Sequence, residues 1–415
     1  MSRCDSSRTG SHLVAVAALS VALVPWPLAA EDVVRSVDPR EAEGTSAAVV
    51  VADVPLLQTT QLLPLDDRGR LLAKGVARDQ VEVVLDRVQT AVRPLSTDPA
   101  PVIVKLNVVA ASDEVVGEVR QALAQKFRGA RVKPAVTFVV GKLRHPDVRV
   151  AIDAIAVATP PGRRAVSRWI AGLGGREEFA HAATLDSGPK VYIAGQAEKG
   201  KDLAEMTRKT LESLVATLKH LGLGLDDVVQ VKSFIGPITA VDEAEREIAE
   251  VFKAQSFVPP LAFVEWTTAP SIEIEILAAG KTGNVAGDDP VEFVTPPGMT
   301  ASPVYSRVAR MAAGPTIYIS GLYGSSSGNG EAETLEIFGA MEKLLEKTGS
   351  DFRHLVKATY YVATDEASAK LNELRPRFYD PKRPPSASKA PVAGTGLAGK
   401  TITLDMIAAP RSAAK

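Results

Sequence analysis

Residues 271–280 read SIEIEILAAG. Side chains alternate across a strand, so Ile272, Ile274 and Ile276 share one face while Glu273 and Glu275 share the other. A sheet with one face in water would account for two carboxylates in an apolar strand. The arrangement recurs, though, in VAIDAIAVA (150–158) and TLDMIAAP (403–410). Each stretch sets an acid, Asp153, Glu275 or Asp405, near the small-residue end of an apolar strand. Two further blocks keep nearly the same period. VIVKLNVVA (102–110), VQVKSFIG (229–236) and HLVKATYYVA (354–363) carry Lys105, Lys232 and Lys357, and LLQTTQ (56–61), VYIAGQ (191–196) and IYISGL (317–322) form the other set. Three blocks with one period mark a triplicated domain.

Within each copy an amphipathic helix follows the first strands. In EMTRKTLESLVATLKHLG, Leu211, Leu214, Val215 and Leu218 recur at three- and four-residue steps and make one apolar face. Gly222 and Gly349 are placed to end the first helices of copies two and three. The lysine-bearing strand, a second helix, a Pro-rich turn and the final strands complete each copy. The predicted fold class is α+β, a mostly antiparallel sheet covered by two helices, three times over. The boundaries read as 46–158, 163–281 and 290–411, with linkers at TPPGRR (159–164) and GKTGNVAGDD (280–289).

Residues 1–30 read as a secretory signal peptide: Arg3 and Arg8, a short apolar core, then Ala29 and Ala30. The expectation is export to a periplasm or the cell exterior, with no membrane span. The single cysteine, Cys4, lies in that leader, which excludes disulfides and thiolate metal sites from the mature chain. A formal net charge of -1 gives no electrostatic case for nucleic acid. His145, His181, His220 and His354 show no metal-ligand spacing, so neither metal nor cofactor is expected.

Copy three, through SPVYSRVARMAAGPTIYISG (302–321), HLVKATYYV, RPPSAS and ITLDMIAA, resembles the RidA family, also called YjgF/YER057c/UK114 or endoribonuclease L-PSP. Copy two resembles it through VYIAGQ, VPPLAFVEW and IEIEILAA, and copy one keeps the order of elements. The resemblance implies a chorismate mutase-like fold, an intramolecular equivalent of the family's homotrimer, and small-molecule clefts between copies. A monomer with pseudo-threefold symmetry is therefore expected.

The resemblance also implies hydrolysis of enamines and imines such as 2-iminobutanoate or 2-iminopropanoate. That chemistry uses an Arg fork for the substrate carboxylate and groups that position a water. The aligned clamp positions are Val136, Leu261 and Ser386, none of them Arg. The acids Asp153, Glu275 and Asp405 stand as catalytic candidates with Tyr305, against the alternative that each pairs with a lysine of another copy. Ser306, Gly195, Gln196, Gly321, Gln61, Arg383 and Lys389 are candidate substrate contacts by position. The sequence thus supports a divergent small-molecule-binding protein, with an imine deaminase surviving in copy three as the alternative. Ribonuclease activity is a third reading that the charge and histidines disfavour.

Overall fold

The computed structural model describes Met1 and residues 33–411 except 97, 99, 269–270, 284 and 286–288, so the 1–30 leader lies outside the described residues apart from Met1. One element order, β-β-β-α-β-α-β-β, runs three times. Repeat one holds β1 (Val34–Arg40), β2 (Thr45–Val51), β3 (Leu56–Thr59), α1 (Ala77–Val92), β4 (Ile103–Ala110), α2 (Asp113–Lys126), β5 (Ala135–Val140) and β6 (Val150–Val157). Repeat two holds β7 (Ala165–Arg168), β8 (Ala182–Leu185), β9 (Lys190–Gln196), α3 (Leu203–His220), β10 (Val228–Gly236), α4 (Val241–Phe252), β11 (Leu261–Glu265) and β12 (Ser271–Ala279). Repeat three holds β13 (Val291–Val294), β14 (Val308–Met311), β15 (Thr316–Leu322), α5 (Gly330–Lys347), β16 (Leu355–Val362), α6 (Asp365–Leu374), β17 (Ser386–Pro391) and β18 (Ile402–Ala408). Repeat one therefore begins at Val34 and not at residue 46. Its first strand, VRSVDPR, was masked by Asp38, which has φ +46°, and by Pro39, both of which interrupt a strand pattern.

Local signals set the helices. Ser112, Asp202, Asn329 and Thr364 each accept a backbone N–H from the residue three positions on, capping α2, α3, α5 and α6. Gly222 and Gly349, at φ +71° and +79°, end α3 and α5 in the left-handed conformation that glycine tolerates. The apolar faces of α1 and α2 pack on the sheet of repeat one, and the other two helix pairs do the same in theirs.

Strand pairing departs from a simple row of three domains. In no repeat does the second strand fold back onto the third. β2 pairs with β15 of repeat three, β8 with β3 of repeat one, and β14 with β9 of repeat two. Each repeat hands its first hairpin to a neighbour. The connectors ADVP (52–55), DSGP (186–189) and AAGP (312–315) all end in proline directly before or at the head of the next strand. Proline fixes φ and biases the residue before it toward extended backbone, which opposes a tight reversal there. Bridges Ser46 to Ala135, Phe179 to Val258 and Ser306 to Ser386 link, within each repeat, the start of the second strand to the start of the fifth. The described strands form one twelve-stranded and one six-stranded sheet, and the bridges Phe179 to Val258 and Ser306 to Ser386 join the two into a circuit.

Because Cys4 is the single cysteine of the sequence, this exchange can be trapped chemically. Val50 and Ile317 are direct antiparallel partners across β2 and β15. A Val50→Cys/Ile317→Cys pair in a Cys4→Ser background is expected to form an intramolecular disulfide on oxidation, read by mass spectrometry of the linked peptides. Recovery of free thiols, or of intermolecular dimers alone, would refute the exchanged pairing.

Candidate functional site

The conserved-position acids point into the circuit. Lys105 is buried and donates to Asp405 at 2.8 Å, to Thr137 Oγ1 at 2.7 Å and to the Ile319 carbonyl at 2.6 Å, so all three of its protons have acceptors. Lys357 meets Glu275 at 2.8 Å, and Ser388 donates to the other Glu275 oxygen at 2.8 Å. Both are ion pairs between repeats, from a lysine of one repeat to the acid of the preceding one. Burial alone would raise the Asp405 carboxyl, but the neighbouring lysines, Lys105 first, outweigh it and hold the group ionised. Both oxygens of Glu275 are thus taken by donors, and Asp405 is tied to Lys105 through Oδ1.

The third junction breaks the pattern. Lys105 stands opposite Ile155 and Lys357 opposite Ile407, but Lys232 stands opposite Glu275 itself. The residue opposite Leu277, which is the matching place in repeat two, is Gln230. A two-residue offset keeps a side chain on the same face, so the sequence blocks looked alike. Gln230 donates to the Thr59 carbonyl, and Lys232 turns to the Tyr361 hydroxyl at 2.8 Å. Asp153 is left with Asn107 Nδ2 at 2.7 Å and no ion-pair partner. Burial pushes its carboxyl up to about 6, against the pull of Lys232. A small interior cavity of about 40 Å³ is lined by Lys105, Lys232, Lys357, Glu275, Asp405 and Gln230.

The glycine and clamp slots lie at the same junctions. Counting from the acids, Gln61 occupies the slot of Gly195 and Gly321, because Leu62, Gln196 and Leu322 pair with Ile152, Ile274 and Leu404. The residues two positions before the acids, Ala151, Glu273 and Thr403, face those slots. A Cβ on Gly195 would come within 2.0 Å of Glu273, and one on Gly321 within 2.9 Å of Thr403 Oγ1. Small Ala151 leaves room for a side chain, and there Gln61 reaches across to donate to the Phe263 carbonyl at 3.0 Å. The clamp slots are Val136, Leu261 and Ala387; the extra residue of RPPSAS shifts repeat three by one from Ser386, since Leu106, Val231 and Ala358 are the strand partners.

The remaining candidates are dispersed. Gln196 donates to Thr217 Oγ1 under α3, away from any cleft. Arg383 binds Asp289 at 2.8 Å and the Val291 carbonyl, and so anchors β13. Lys389 donates to Ser368 on α6, and Ser306 to the Pro384 carbonyl. Tyr305 lies under the Arg307 guanidinium, 5.0 Å from ring centre to Cζ. Sequence reasoning passed over Glu273 although it stood in the strand that opened the reading. Glu273 Oε1 is buried without a partner, and burial lifts the carboxyl to about 7 in spite of nearby Ser388 and Lys357. Gly195 beside it donates its N–H to Ser388 Oγ at 3.1 Å.

The junction of repeats one and two has a cleft of about 400 Å³, with Gln61, Leu261, Phe179, Arg87, Arg144 and Arg176 among its walls. Between repeats three and one, the same region is filled: Tyr323 donates to the Thr395 carbonyl, and Arg120 packs over Phe138 and binds the Gly396 carbonyl.

The Asp153 environment has a pH signature. Its folded-state affinity for a proton exceeds that of the unfolded chain, so its contribution to stability falls as pH rises from about 4 to about 6. Asp153→Asn should match wild type near pH 4 and exceed it by about 1–3 kcal/mol at pH 7 in urea unfolding. A difference that does not change with pH would show that the carboxyl is not perturbed.

The Endoribonuclease L-PSP family matches residues 175–280 and 298–409, together just over half of the chain. Among solved structures, a YjgF family member from Neisseria meningitidis is 19% identical, covering 30% of this chain and 97% of that one, with a TM-score of 0.23. A conserved Rid family protein of unknown function from Yersinia pestis is 19% identical over 29% and 98% of the two chains, TM-score 0.27. RidA from an Antarctic Psychrobacter is 21% identical over 23% and 80%, TM-score 0.21. None of the curated proteins matches the chain. On the two matched segments, the protein belongs to the Endoribonuclease L-PSP family, in tandem RidA-like copies.

Proposed function

We propose that the chain is a small-molecule-binding member of this family whose ligand site is the cleft between repeats one and two. The observation that carries the reading is the cavity of about 400 Å³ at that junction, walled by Leu261 at the clamp slot and by Phe179 and Ala180 at the slot of Tyr305 and Ser306. Leu261 offers no fork for a substrate carboxylate, and Ala151 offers no acid to position water. The site has the concave, partly apolar character of a ligand pocket, with neither an arginine at the clamp slot nor an acid at the slot of Glu273.

A second reading, imine hydrolysis at the junction of repeats two and three, has Glu273 in its favour. A carboxyl near pH 7 with one buried, unpartnered oxygen suits a group that trades protons with a water. Ala387 at the clamp slot counts against it, as does Lys389, which is tied to α6. On the binding reading the chain is a monomer that does the work of three subunits, and its leader delivers it outside the cytoplasm.

Ammonia release from freshly generated 2-iminobutanoate separates the two. The mature protein, Glu273→Gln and Tyr305→Phe should all give the uncatalysed rate. Turnover by the wild type that collapses in Glu273→Gln would replace the binding reading with the hydrolase.

A further inference from the structure

The cleft between repeats one and two already holds a carboxylate in the manner of a bound ligand. Arg144, in the loop between β5 and β6 of repeat one, donates through Nη1 to Glu245 Oε1 at 2.6 Å and through Nη2 to Oε2 at 3.0 Å. Arg176 of repeat two adds a third bond, Nη2 to Oε2 at 3.0 Å. Two parallel bonds from one guanidinium are the geometry by which proteins recognise carboxylates. The Arg176 guanidinium also lies over the Phe179 ring, 4.0 Å from its centre, so this group of charges is continuous with the cleft wall. The carboxylate is the buried member: the Glu245 side chain is 10% exposed against 29% and 48% for the two arginines.

Several other charges of the cleft are held as well. Asp242 takes a further bond from Arg144. Arg87 donates to the Leu173 carbonyl and feels Asp66. His181 is fixed at both nitrogens, accepting from the Ile170 N–H at 2.9 Å and donating to the Gly174 carbonyl at 2.7 Å; burial lowers its pKa.

We propose that Glu245 is a specificity determinant, an internal carboxylate that fills the guanidinium fork so that the cleft rejects carboxylate ligands and takes an uncharged polar molecule. This rests on the ligand-cleft reading above. A free carboxylate would have to displace a group held at high effective concentration by its own chain, and would leave Glu245 buried beside Asp242. Rejection through an unpairable charge is an ordinary route to specificity. An uncharged ligand meets Leu261 and Phe179 with the fork already neutralised.

The test is calorimetric titration of 2-oxobutanoate and its isosteric amide into wild type, Glu245→Gln, Glu245→Asp, and Glu245→Gln combined with Arg144→Gln. Wild type should bind the amide and take the acid at least tenfold more weakly. Glu245→Gln should tighten the acid about tenfold or more and change the amide by less than about threefold, which in free energy is a gain of about 1.4 kcal/mol for the acid. Glu245→Asp should keep the rejection, and the added Arg144→Gln should abolish the gain. An acid affinity unmoved in Glu245→Gln, or a wild type that prefers the acid, overturns the proposal. A gain in acid binding with no amide bound by wild type would uphold the fork and overturn the ligand-cleft reading.

Discussion

The antiparallel bonds between β2 and β15 join the first repeat to the last, and the two other exchanged hairpins join the remaining neighbours. Once each repeat depends on another for a strand, no repeat has a complete sheet of its own. The circuit must close, and closing it buries the strand faces that carry Lys105, Glu275 and Asp405. Proline at the end of all three connectors is the local feature that keeps the second strand from returning to the third.

Closure explains the carboxylates that first drew attention. A charge removed from water is tolerated only when paired and hydrogen-bonded, and Lys105 with Asp405, and Lys357 with Glu275, meet that condition across junctions. At the remaining junction Gln230 replaces the lysine, and Asp153 is left to burial. That junction also has the cleft of about 400 Å³, and there Arg144 and Glu245 bridge the repeats instead. The loss of an axial tie and the presence of a cavity with its own external tie fall together in one place. The other two junctions keep the axial pair, one with a carboxyl of raised pKa at Glu273 and the other filled by Tyr323.

Much of the fold was legible because triplication repeats every signal: the strand with an acid, the amphipathic helices and their glycine stops all recur. Strand exchange was not legible, since period-two patterns say which face a residue takes and nothing about which chain segment pairs beside it. The same limit hid the register of Lys232, which shares a face with Gln230, and placed Gln61 one position from its true slot. Glu273 and Glu275 were visible as a pair, but only the structure separates their surroundings, the first with a buried, unpartnered oxygen and the second on an ion pair. Arg176 and Glu245 gave no signal, because surface Arg and Glu in helices and turns are common and their meeting depends on how two repeats dock.

The central claim is that Glu275 and Asp405 tie neighbouring repeats together. A double-mutant cycle of Lys105→Met and Asp405→Leu tests it most directly by urea unfolding. Each single change should destabilise by about 3–5 kcal/mol, because it strands the other charge in the interior. The double variant should recover most of that loss, giving a coupling of at least about 2 kcal/mol. Additive single effects would contradict the account and return Asp405 to the candidates for a catalytic acid.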